Sequence, residues 1–413
     1  SQADRLRLSY FEELFGCAEQ LSQDYLVKPE EVRRQFRYDS EKNTLTGPNK
    51  VSYGVGVFVN PSVAELREWW AENKAKLGGD TKQGGLVHSE HYGSVQALHA
   101  DPQYKNAIFV AASQFNCLEF PAPDTIPEKG ITKYQSDRTQ GPSCAVMAAA
   151  GTFYRNYLHK VDGKTLGQTA DNQLSHLRGV IESIIDGKKH KAAIDQLLKN
   201  GYTRDQSEQY GDDSGPSPII DLITNAYDNM DDPSRQKALG KLQIGIQEDV
   251  EVTLPTGWYA SSLPSDDAKS QPELSRAIQY VKSKPTVTQI YASAMSLGFY
   301  EPRWVRSYGS SSARKKAPLY KDVLDVTYEA MFLYALKRRR PLILTGLGAG
   351  VFSNRDDDSV WAEDSIEKCK GMFKDYPLEV VRNRFARRPS HWVKSKSEPY
   401  KAPTDRSTLP DIS

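Results

Sequence analysis

The chain has 413 residues, with 54 Lys and Arg against 53 Asp and Glu and a formal net charge of +1. A length of this order suits one large domain with insertions or two ordinary ones. The balanced charge excludes an overall field that would select nucleic acid or an anionic membrane, so any anion must be met locally.

Cys17, Cys117, Cys144 and Cys369 are widely spaced, with no CxxC or Cys/His pair. That pattern argues against a metal site and against a disulfide framework, and predicts a reducing, intracellular setting. The longest apolar stretches, such as 144–151 and 341–352, fall short of the ~20 residues needed to span a bilayer, and no signal-like apolar core stands at the start. The expectation is a cytoplasmic protein with no membrane or nucleic-acid partner.

In chain order, residues 1–50 mix helical spacing with charge (Leu6, Tyr10, Leu14, Ala18, Leu21) and predict a helical extension on the core. Residues 51–60, rich in β-branched and aromatic side chains, predict a strand, and 63–76 the helix after it. Further strands are expected over 107–112, 286–292 and 341–345, the last two preceded by helices over 272–281 and 322–337. Strands alternating with helices predict an α/β fold with a mixed sheet covered on both faces. The more polar stretch 160–285 reads as a largely helical insertion in a core spanning 51–380, and 381–413 as a polar tail. Within that insertion, Asp249 and Glu251 alternate along a strand and should share a face.

Two segments carry the chemistry. Residues 342–354 are a buried strand running into a turn with Gly346, Gly348 and Gly350, then Val351, Phe352 and Asn354. Glycines there let backbone N–H groups meet a diphosphate without lysine, and a helix starts near 356–359. Neither the Gly-Lys-Ser/Thr of a nucleotide triphosphate loop nor the spacing of a dinucleotide fingerprint follows. Residues 137–151 form a polar loop, Asp137-Arg138-Thr139-Gln140-Gly141, entering a helix of small residues that begins Pro142-Ser143-Cys144. A plain glycine-bearing turn and a buried alanine-rich helix would show the same patterns.

These segments resemble the macrodomain family and its poly(ADP-ribose) glycohydrolase relatives. Residues 108–114 are similar to the strand that ends beside the distal ribose, 145–151 to the first helix after the catalytic loop, and Gly348-Ala349-Gly350-Val351-Phe352 to the phosphate loop. Gly93-Ser94-Val95 stands where the family carries its adenine contact, with Ser94 in place of an aspartate. No Gln-Glu-Glu glycohydrolase signature is present, whereas 113–119 and 137–142 resemble a divergent branch of arginine-specific ADP-ribosyl hydrolases that act on ADP-ribosylated ubiquitin.

The resemblance implies a three-layer α/β/α core that binds ADP-ribose as ligand or product, needs no metal or other cofactor, and removes mono-ADP-ribose from a protein such as ubiquitin. It places Ser94, Val95, Gln114, Asn116, Gly141, Ser143, Cys144, Gly346, Gly348, Ala349, Gly350, Val351, Phe352 and Asn354 around the ligand. Glycosidic cleavage passes through an oxocarbenium-like state and needs a proton donor or cation-holding carboxylate at the leaving group. Glu119 and Asp137 are the expected carboxylates, with Arg138 and Gln140 beside them, and Asp249 and Asp356–Asp358 the next candidates. The same pocket would serve a non-catalytic reader of ADP-ribose, or a hydrolase of free esters or nucleic-acid-linked ADP-ribose. The basic run 337–340 falls at a helix end, where cations suit the dipole.

Overall fold

The computed structural model describes residues 8–19, 21–78, 84–122, 124–203, 218–263, 267–295, 318–347, 360–384, 393–394 and 397–401. Helices Tyr10–Phe15 and Pro29–Arg34 lead into a small antiparallel sheet of β1 (Arg37–Asp39), β2 (Thr44–Thr46) and β3 (Ser52–Gly54). The N-terminal segment is therefore not helical throughout. The strand expected over 51–60 is divided between β3 and β4 (Val57–Val59), which join different sheets. The break falls at Gly56, where φ is +69° and a β-carbon would stand 2.0 Å from the Glu248 carbonyl oxygen, so only glycine fits.

The main sheet is built from β4, β5 (Val87–Tyr92), β6 (Ile108–Ala112), β7 (Gly245–Glu251), β8 (Thr286–Ala292), β9 (Leu342–Leu344), β10 (Glu379–Arg384) and β11 (Val393–Lys394). Its order is β11-β5-β10-β9-β6-β8-β7-β4, with β12 (Glu398–Pro399) also on β5. The five strands β5, β10, β9, β6 and β8 run parallel, while β7 and β4 continue antiparallel at one side and β11 and β12 at the other. The stretch expected as an insertion thus supplies one strand, β7, to the main sheet.

Alternation along the strands feeds two cores. Ile108, Val110, Leu342, Leu344 and Val380 pack under helices Val63–Gly78, Pro318–Arg338 and Val360–Met372, with Arg178–Ile184 and Pro218–Asp228 beside them. Phe109, Ala111, Ile343 and Val381 face the other way, against Gln140–Val146, Ala149–Phe153, Asp267–Val281 and the N-terminal helices. The fold is α/β with three layers, as the alternation of elements requires. Pro318–Arg338 is buried on nearly every side, which is why its apolar residues exceed one stripe. Among the described residues no helix is long and apolar enough to cross a membrane.

The small-residue helix expected over 142–151 is two short helices with a break at Ala148, whose φ and ψ are −141° and 58°. Thr253 makes the break: its N–H donates to Met147 O (2.8 Å), its hydroxyl donates to Val146 O (2.9 Å), and that oxygen accepts from Ala149 N–H (3.1 Å). A side chain inserted into the helical ladder replaces bonds the helix would make with itself.

Candidate functional site

The chain leaves β6 for β7, on the β8 side, and leaves β9 for β10, on the other, so connections diverge at the boundary between these neighbouring strands. Parallel sheets open a crevice at such a point, outside the carboxyl ends of the strands. Residues 113–119 emerge there from β6 and Gly346 from β9, while Ser94 and Val95 follow β5 at the same edge.

The loop after β6 is braced at almost every residue. Gln114 accepts from Phe120 N–H (2.7 Å) and donates to Phe120 O (3.1 Å), and Asn116 accepts from Leu118 N–H (3.1 Å) and donates to Gln173 (2.8 Å). These two expected ligand contacts therefore use their amides to hold the loop. Tyr134 completes the brace by accepting Glu119 N–H at 3.0 Å. The Ser113 hydroxyl points toward Leu118 O, at 3.3 Å.

Glu119 is the exception within this loop. Its side chain is 4% exposed, yet both carboxyl oxygens lack a hydrogen-bond partner among the described residues. Burial pushes its pKa up to about 8; the charge of Arg155 and the adjacent Ser113 hydroxyl, too loosely placed to make a regular hydrogen bond, oppose the shift, and the charge on Asp137 adds to it. The group is accordingly a carboxylic acid at neutral pH. Arg155 lies 1% exposed and spends its donors on Cys117 O (3.1 Å), Gln247 (3.3 Å) and Thr152 (3.2 Å), with its guanidinium 3.5 Å from the Tyr291 ring centre. Sequence reasoning missed Arg155 and Tyr134; the only trace was a cation, Arg155, among the aromatic residues Phe153, Tyr154 and Tyr157.

Asp137 is half-buried, and its Oδ1 accepts from Thr139 N–H (2.9 Å) and Thr139 hydroxyl (2.6 Å), leaving Oδ2 for another donor. Arg138 turns away from the carboxylates: it donates to Trp258 O (3.2 Å) and Ser261 (2.5 Å) and lies over the Trp258 ring. Gln140 accepts from Asn383 at 2.6 Å, and Asn383 in turn contacts His91 Nδ1 at 2.7 Å. Asn383 and His91 join the region from β10 and β5, strands that the periodicity did not reveal.

Gly141 packs against the end of β6, Ser143 and Cys144 are fully buried, and Ser143 Oγ has no partner. Burial, with Glu119 nearby, holds the Cys144 thiol well above its usual range, so it is protonated. Ser94 is buried with an unpartnered hydroxyl, Val95 is enclosed, and Gly346 is half-buried. Gly348, Ala349, Gly350, Val351, Phe352, Asn354 and Asp356–Asp358 lie outside the described residues.

Asp249 is not part of this region. A bulge shifts the β7 register between Gln247 and Val250, so Asp249 is exposed at φ 51° while Glu251 is 7% exposed, and the two do not share a face. Arg340 (2.6 Å) and Arg338 (3.1 Å) engage Asp249, which accounts for part of the basic run. Among the described residues no cluster of His, Cys, Asp and Glu is placed to hold a metal ion. Compared with known proteins, the chain matches no family model, no curated protein and no solved structure.

Proposed function

We propose that the chain is a macrodomain-like ADP-ribosyl hydrolase that removes mono-ADP-ribose from arginine on a protein, ubiquitin being the target its sequence resemblance implies. The observation that carries the reading is Glu119, a buried carboxyl with no regular hydrogen bond among the described residues, whose pKa is pushed up to about 8 at the carboxyl end of β6. A neutral acid in that position can protonate a leaving group, which is the task glycosidic cleavage sets. Support also comes from the mixed sheet with helices on both faces and from the divergence of the connections that leave β6 and β9, where ligands of parallel sheets bind.

In the proposed reaction, the bond between the anomeric carbon and the arginine nitrogen breaks as Glu119 gives its proton to that nitrogen. Water adds its oxygen to the carbon and returns a proton to Glu119. Asp137, with its free Oδ2, holds the guanidinium of the departing arginine. The test is incubation with proteins mono-ADP-ribosylated on arginine, glutamate or serine, followed by mass spectrometry. Loss of ADP-ribose from the arginine conjugate, abolished in Glu119→Gln, supports the reading; release only from the other conjugates overturns the linkage.

A second reading, a non-catalytic reader of ADP-ribose, draws on the closure of the same carboxyl, 4% exposed. ADP-ribose binding without release from any of the three conjugates would put it first.

A further inference from the structure

A separate cavity of about 360 Å³ lies between the Val95–His99 helix with its following turn and the two helices Thr256–Ala260 and Asp267–Val281. Its polar wall includes Asp101, Gln103, Glu273 and Tyr259, with the exposed Arg276 and the buried His91 also in the lining. This volume falls in the range of small-ligand sites.

Three of these groups have acceptor capacity that the fold leaves unused. Tyr259 is 1% exposed, yet among the described residues its hydroxyl makes no hydrogen bond, and it lies within the fields of Glu273 and Asp101. Glu273 has neither a hydrogen bond nor an ion pair among the described residues, and Arg276, one helical turn on, does not reach contact distance. Burial of the Glu273 carboxyl outweighs the attraction of Arg276 and raises its pKa, so that cation does not satisfy it. Asp101 uses only Oδ1, to cap Gln103 N–H at 2.9 Å.

We propose that this cavity binds a guanidinium group, the end of an arginine side chain presented by a partner protein. A guanidinium offers five N–H donors in a planar fork, which suits acceptors spread over three positions, and it stacks on aromatic rings such as Tyr259. A lysine ammonium is a compact point charge with three donors and no plane to lie on a ring, so it suits three separated acceptors beside Tyr259 less well. The proposal does not rest on ADP-ribose binding, because the acceptors it uses, Asp101, Glu273 and Tyr259, are not those of the crevice; His91 alone touches both regions. The two are joined by the hydrogen bonds His91 to Asn383 and Asn383 to Gln140, 2.7 and 2.6 Å.

The test uses the full chain and Nα-acetylarginine amide as probe, with Nα-acetylcitrulline amide, its uncharged isostere, as control. The arginine compound should raise the melting temperature and bind by calorimetry, and the citrulline compound should bind at least tenfold more weakly. Glu273→Gln and Tyr259→Phe should each weaken the arginine compound tenfold or more. Both variants should fold normally, since they remove groups with no partner in the protein. No binding of the arginine compound, equal binding of citrulline, or undiminished binding in both variants overturns the proposal.

Discussion

Gly141 rests on the carbonyl oxygen of Ala112: a β-carbon at this position would stand 2.0 Å from that oxygen. The helix Gln140–Val146 can close over the end of β6 only because this residue has no side chain. Gly141→Ala must push the helix from the strand, and overpacking of this kind costs about 1–3 kcal/mol. Denaturant melts should show that loss, together with weaker ADP-ribose binding if the crevice is the ligand site. An unchanged midpoint would mean the helix moves freely and does not define the crevice.

Thr253 holds the break between the two small-residue helices through three hydrogen bonds. Thr253→Val keeps the shape and removes the hydroxyl, leaving Ala149 N–H without its acceptor. A loss of about 1–3 kcal/mol is expected for an unsatisfied buried donor. Amide hydrogen exchange at Ala149 should accelerate in the variant; equal protection would show that the break is set by other contacts.

How much of this was legible in the sequence depended on which side chains a strand carries. β6 and β9 are buried on both faces and appear as apolar runs, and β8 is rich in β-branched and aromatic residues, so their places were readable. β5 (Val-His-Ser-Glu-His-Tyr) and β10 (Glu-Val-Val-Arg-Asn-Arg) were not, because their polar residues pair with one another: Arg384 with Glu90 at 2.9 Å, His91 with Asn383 at 2.7 Å. Such partners are distant in sequence. In the candidate site, residues 113–119 were legible as the loop that leaves the strand end, but their division of labour was not readable. Whether Gln114 and Asn116 face a ligand or brace the loop depends on Phe120 and Gln173. The burial of Arg155 followed from tertiary packing alone.

His99 and His176 set the response to acid. Burial lowers the pKa of His99 to about 4 and of His176 to about 3, from an ordinary value of 6.5. His99 contacts Val95 O and Gln289, and His176 contacts Cys117 and Asn60, all compatible with neutral rings. A base with a depressed folded pKa favours the unfolded state once the unfolded chain takes up protons. Stability should therefore be full above pH ~6.5 and fall as pH drops toward 3–4. Urea melts from pH 7 to 4 should show it, with a shallower decline in His99→Gln. Equal slopes would indicate that carboxylates elsewhere dominate.

Removing Arg155 tests the field at the candidate acid. Arg155 provides the largest effect opposing the upward shift of Glu119, so Arg155→Gln should raise the Glu119 pKa further. It also loses bonds to Cys117 O and Thr152, at a cost of at least about 2 kcal/mol. Carbon-detected NMR titration of labelled glutamate in both proteins checks the direction. A fall in the pKa would mean that Arg155 orders the loop without acting on the carboxyl electrostatically.

The alkaline side belongs to Glu119. Its folded pKa is about 8 against an ordinary 4.5, so the folded protein favours the protonated acid while the unfolded chain ionises. The contribution of this group is complete below pH ~4.5 and is lost as pH rises toward 8, by up to about 1.4 kcal/mol per pH unit within that window. Glu119→Gln has no charge to bury and should lose none of this, so the variant should gain on the wild type between pH 5 and 8. In activity the signs reverse. If Glu119 gives the proton to the leaving arginine, wild-type kcat should decline above pH ~8 as the acid ionises, while the glutamine variant should be slower by roughly 10²-fold or more with little change in ADP-ribose affinity. Stability that rises while turnover falls separates a group used in the transition state from one that serves the fold. A variant that loses both stability and binding at pH 7 would assign Glu119 to structure, and the proton donor would then have to be sought at Asp137.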